Sequence, residues 1–240
     1  MRVGVFIDGQ NVTIGARHAF GRGEHGNGTG NMHPLLLGRA LAGECELVEI
    51  RYVTGIPDSN VDRRRWATER RRHDLMTATD VVVLEKPLRY RWEWDISNER
   101  DLGDPRDHKD ESVSASVKAR NVGQEKGIDV WLALDALTMC TRADIDKVII
   151  ATADTDLDTV PQYLRMMPDH DDTIVVQAKV LSNKRDVYQN GFYDETIAID
   201  EAIFAQARDD FDYSKDLEED EIAAFVRSIG ADSDGIRDDS

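Results

Sequence analysis

Apolar residues gather along the chain in five short runs separated by polar stretches: VGVFI (3–7), LVEIRYV (47–53), DVVVL (80–84), KVIIA (147–151) and TIVVQA (173–178). Several are continuous and β-branched rather than alternating, which is the pattern of strands covered on both faces. The stretches between them read as helices. HPLLLGRALAG carries proline near its first turn, DSNVDRRRWATERRRHDLMTA opens with Asp, Ser and Asn, DVWLALDALTMC is strongly apolar, and DTVPQYLRMM is short. Strands alternating with helices predict an α/β fold, a mainly parallel, doubly wound sheet of about five strands with helices on both faces.

Two stretches break the pattern. RHAFGRGEHGNGTGNMH (17–33) is rich in glycine and reads as a loop. It holds no G-x-x-x-x-G-K-[ST] phosphate loop, and His18, His25 and His33 lack the spacing of a metal site. Residues 88–124 read as an insertion, a hairpin plus loop before the next helix. Near residue 205 the composition changes. Residues 194–240 hold 16 acidic against 4 basic side chains, so this end supplies −12 of the net charge of −17. The chain thus divides into a domain over 1–205 and an acidic extension over 206–240, partly helical and then disordered. Cys45 and Cys140 are isolated and suggest neither a disulfide framework nor a zinc site. No window approaches the roughly 18 apolar residues of a membrane span, and the N-terminus lacks a signal-peptide layout. A reducing cytoplasm and no membrane partner are the expectation.

Candidate chemistry sits where the strands end. In an open α/β sheet, ligands bind outside the carboxyl ends of the strands. Asp8 directly follows the first run, Asp154, Asp156 and Asp158 follow KVIIA, and Asp129 lies in the first turn of a helix starting near Gly127. Singly, each reads as a cap or turn residue. Together, like charges at one edge repel unless a cation holds them. The ATADTDLD stretch is not an EF-hand, since Thr159 and Arg165 stand where glycine and glutamate are needed. Carboxylates with water suit Mg²⁺ or Mn²⁺, and such an ion can activate water against a phosphoryl group.

The segments VFIDGQN, EKGIDVWLALDAL and VIIATADTDL, in this order and approximate spacing, resemble the three signature segments of NYN-domain proteins of the LabA/DUF88 type, in the PIN-like nuclease superfamily. The resemblance spans roughly residues 1–200. It implies a Rossmann-like PIN fold and a metal-dependent endoribonuclease acting on RNA, single-stranded or structured. It implies that Asp8, Asp129 and Asp154 are metal ligands with Asp156 beside them, that Asn11 orients a ligand or phosphate, and that Lys126 contacts phosphate. Thr152 and Ala153 stand where Ser-Gly is usual, and Leu157 where an aromatic is common; the departures spare the carboxylates, and Thr152 is expected beside the substrate. Asp135 also matches an acidic position, yet six residues from Asp129 a helix turns it away, and a structural ion pair is an equal reading.

DRRRWATERRRHD repeats an arginine triplet every seven residues, either a salt-bridged helix face or a phosphate-tracking stripe with Arg64 and Arg71 as contacts. RYRWEW mixes arginine with aromatics as single-strand binders do, or as a hairpin core does. Two alternatives stay open: an RNA-binding or scaffold module with an idle acidic site, and a phosphatase, since DTDLD resembles the aspartyl nucleophile motif of haloacid dehalogenases. Leu157 and Asp158 depart from that motif. A homo-oligomer is compatible with either main reading.

Overall fold

A computed structural model describes residues 1–22, 28–98, 115–124, 127–170, 172–181, 191–215 and 218–230. Six parallel strands form one sheet in the order β3-β2-β1-β6-β7-β8. They are β1 (Arg2–Asp8), β2 (Glu46–Ile56), β3 (Val81–Pro87), β6 (Lys147–Ala151), β7 (Ile174–Val180) and β8 (Glu195–Ile199). The strand order reverses between β1 and β6, which pair directly, Val3 beside Lys147 through Ile7 beside Ala151. The connections above β1 and β6 leave in opposite directions, opening a crevice at their carboxyl ends.

Each face of the sheet is covered. Val3, Val5 and Ile7 of β1 point into one cluster with Val12 and Ala16 of α1 (Gly9–Phe20), Leu37 and Leu41 of α2 (Pro34–Ala42), Met76 of α3 (Arg63–Thr77) and Phe204 of α6 (Glu201–Ala207). Phe6 points the other way. It packs with Ile128, Leu132 and Met139 of α4 (Ile128–Cys140) and with Val160 and Leu164 of α5 (Thr159–Leu164). The near-continuous apolar runs follow from this double burial.

The fold is the expected one, with additions. The sheet has six strands, not five, because ETIAI supplies β8. The glycine-rich stretch is partly helical, since α1 continues to Phe20. Arg89–Asn98 (β4) and Ala115–Gln124 (β5) pair as an antiparallel hairpin outside the main sheet. Beyond α6, residues 208–215 and 218–230 lie against α2 and α3, through Arg71 to the Tyr213 and Ser214 carbonyls and Arg39 to those of Ile229 and Gly230, and include α7 (Glu219–Ser228). Phe211, Tyr213 and Phe225 stack there with ring centroids 4.4–6.4 Å apart. The last stretch, 231–240, lies outside the described residues.

Candidate active site

At the end of β1 the chain turns straight into α1, and Asp8 makes the turn. Its backbone is extended and its Oδ1 accepts the Asn11 N–H at 3.1 Å, capping the helix. The residue after it must be glycine. A Cβ at Gly9 would stand 2.4 Å from the Tyr52 ring, so the helix start and β2 approach with no side chain between them.

The end of β6 is built the same way. Asp154 accepts the Asp156 N–H at 3.0 Å and caps a short 3₁₀ turn, Thr155–Asp158. Thr152 ties the two turns together. Its hydroxyl donates to Asp8 Oδ2 at 3.1 Å and accepts the Asp154 N–H at 3.0 Å. Asn11 adds a second tie, its side-chain oxygen accepting the Ala153 N–H at 2.8 Å. A backbone N–H can only meet the amide's oxygen, so the Asn11 NH₂ faces away from this bond and has no protein partner among the described residues.

The third carboxylate comes from the other face. Gly127, in the left-handed region at φ 70°, breaks the chain into α4 without a side-chain cap, and Asp129 occupies the first turn. Lys86 fixes this entry, donating to the Gly127 carbonyl at 2.8 Å and lying 5.8 Å from the Trp131 ring.

Asp8, Asp129 and Asp154 line one cavity of about 390 Å³ together with Gln10, Asn11 and Leu132. Asp8 is buried, and its carboxyl is pushed up from 3.8 to about 6. Burial is the largest cause; the Asn11 and Thr152 bonds oppose it, while the charges of Asp154 and Asp129 raise it further. Among the described residues, no group of three or more His, Cys, Asp or Glu side chains is drawn close enough to hold a metal ion as they stand. The carboxylates ring the cavity rather than meet at a point. In kind the donors fit a hard cation: all are carboxylate oxygens, one of them buried, and Asp129 and Asp154 raise the cost of charge on Asp8.

The remaining candidates disperse. Asp156 is exposed on the 3₁₀ turn beside Asp154 and does not line the cavity. Thr152, expected to touch substrate, has no exposed surface and acts by positioning Asp8 and Asp154. Arg71 is bound to the C-terminal segment, donating to the Tyr213 and Ser214 carbonyls at 2.9 and 3.0 Å. Arg64 is exposed on α3 and lines neither cavity. Lys126 lies outside the described residues. Asp135 pairs with Arg51 at 2.5 Å on the far side of α4, as the ion-pair reading expects. Gln10 and Leu132 escaped the sequence reading; their one signal is position, Gln10 between Asp8 and Asn11, and Leu132 one turn beyond Asp129.

A family model described as the NYN domain matches residues 2–185. The chain is an NYN-domain protein. This NYN domain belongs with the PIN-like superfamily, which suggests a nuclease-like hydrolase. Among solved structures, a protein of unknown function from Vibrio parahaemolyticus is similar, with a TM-score of 0.50 and 20% identity over 83% of this chain and 93% of that one. At that identity the likeness is one of fold. No curated protein matches the sequence. Among the described residues, no helix of the NYN domain is long and apolar enough to cross a membrane.

Proposed function

We propose that this NYN domain is a Mg²⁺- or Mn²⁺-dependent endoribonuclease that cleaves RNA in the crevice above β1 and β6. One observation carries the reading. Three carboxylates from separate segments, Asp8, Asp129 and Asp154, border a single cavity at the point where the strand order reverses.

Asp8, Asp129 and Asp154 would hold the ion, with Asp156 adjacent. When bound, a divalent ion supplies Lewis acidity and a lowered pKa for its water. The chain's own residues then do the rest. Thr152 and Asn11 lock the β1 and β6 turns into one unit, so the Asp8 and Asp154 carboxylates keep a fixed relation. The Asn11 NH₂, at the cavity wall, is a donor suited to a phosphate oxygen. Leu132 and Ile14 supply the apolar part of the cavity wall beside the carboxylates.

The rival reading is an RNA-binding scaffold, favoured by the carboxylates' failure to converge as they stand. Incubating single-stranded and hairpin RNAs with the full chain decides between them. Internal cleavage with Mn²⁺ or Mg²⁺, lost in chelator and in Asp8→Asn, is the expected result. Intact RNA under every condition, with RNA still bound, leaves the scaffold.

A further inference from the structure

Next to the acidic cavity, and sharing Gln10 and Ile14 with it, lies a second recess of about 180 Å³ between α1 and α3. Its chemistry is of the opposite sign. Arg17, Arg65 and Arg72 line it against a single carboxylate, Glu69.

Arg72 is the telling residue. Its side chain is 8% exposed, yet its Nε has no hydrogen-bond partner. Its contacts are long: 3.7 Å from Nη1 to Glu69, 4.0 Å from Nε to Asp209 and 3.5 Å from Nη2 to the Met32 carbonyl, with the Tyr52 ring 5.9 Å away. A buried guanidinium has five N–H groups to satisfy, and one that Glu69 and Asp209 hold only at these distances keeps donor capacity for a further acceptor. Arg17 is already aimed by its Nε bond to the Thr29 carbonyl at 2.8 Å. Arg65 is exposed at the mouth and has no carboxylate partner among the described residues.

We infer that this recess anchors a phosphate group of the RNA strand, a neighbour of the scissile phosphate. The inference rests on the nuclease reading for its substrate class. Guanidinium forks match phosphate oxygens in pairs, and three of them exceed what Glu69 and Asp209 together can neutralise. The volume is below the roughly 300–1,000 Å³ of pockets that enclose a drug-sized ligand, which suits a hydrated phosphate rather than a base. Arg17 stands seven residues beyond Gln10, two turns or roughly 10 Å along α1, so the group held here is displaced from the carboxylates.

Binding of a short fluorescent oligouridine to the full chain, in chelator so that nothing is cleaved, tests the inference. Arg65→Gln, at an exposed position that leaves folding undisturbed, weakens binding about tenfold at low salt and lowers the slope of log affinity against log salt by about 1. Arg64→Gln removes the same charge one residue away and outside the recess, and stays within about twofold of wild type. Equal losses in the two variants, or none in Arg65→Gln, overturn the recess even if the protein cleaves RNA. A selective loss in Arg65→Gln by a protein that never cleaves keeps the recess and removes the nuclease. A wild type that binds no RNA removes both. Probes with hydroxyl or phosphate ends separate the source: loss confined to the phosphorylated probe assigns a terminal phosphate, and loss with both an internal phosphodiester.

Discussion

β1 and β6 lie side by side, and their two ends treat carboxylates in opposite ways. At the amino ends, Asp146 meets Arg2, with Nη2 at 2.6 Å and the Arg2 backbone N–H at 2.8 Å, and these bonds hold its carboxyl down at about 2. At the carboxyl ends, Asp8 has no cationic partner among the described residues: burial above all, and then the charges of Asp154 and Asp129 across the cavity, raise its carboxyl to about 6. A protein selected only for stability would pair both. The end without a cationic partner for its carboxylates is the end that borders the cavity, and a cost in stability of this kind is common at functional sites. Helix α4 repeats the lesson along its length: Asp129 faces the cavity while Asp135 is paired with Arg51, itself bonded to Glu49.

The largest expected effect breaks the comparison at the level of activity. Asp154→Asn and Asp129→Asn each lower RNA cleavage by about 10³-fold with the fold intact by circular dichroism, whereas Asp146→Asn leaves cleavage at wild-type rate. The second effect is on stability in chelator as a function of pH. Asp8 has its folded pKa raised above the ordinary 3.8, so the folded state holds an extra proton between about pH 4 and 6. Its contribution to stability is full below pH 4 and is lost as pH rises through 6, a decline of roughly 2–3 kcal/mol that denaturant titrations should find missing in Asp8→Asn. Asp146 has the opposite sign: its contribution is present above pH 4 and fades as pH falls toward 2. The third effect separates the two ends of α4. Asp135→Ala, which strips Arg51 of one of its two partners at a site only 17% exposed, costs about 1–2 kcal/mol in urea unfolding and leaves cleavage unchanged.

The parts of the site that belong to strand ends were legible, and the reason is topological. A continuous apolar run followed by Asp places that Asp at the carboxyl edge whatever packs around it, so Asp8 and Asp154 could be located by eye, and Gly127 set the start of α4 and hence Asp129. Other elements hid. GQNVTIGARHAF has two glycines and β-branched residues of low helical preference, and α1 is held by burying Val12 and Ala16 against the sheet rather than by its own propensity. The arginines of α3 showed helical spacing but not their partners. Arg71 is claimed by carbonyls 142 and 143 residues away, and the recess draws on Arg17, Tyr52, Arg65 and Arg72, which only the completed sheet brings together.

Calorimetric titration of Mn²⁺ into the wild type and the Asp8→Asn/Asp154→Asn double variant, at one moderate salt concentration, tests the central claim most directly. Saturable binding to the wild type and none to the double variant is the predicted result. Equal heats in both, or none in either, would contradict a shared acidic metal site and remove the nuclease mechanism built on it.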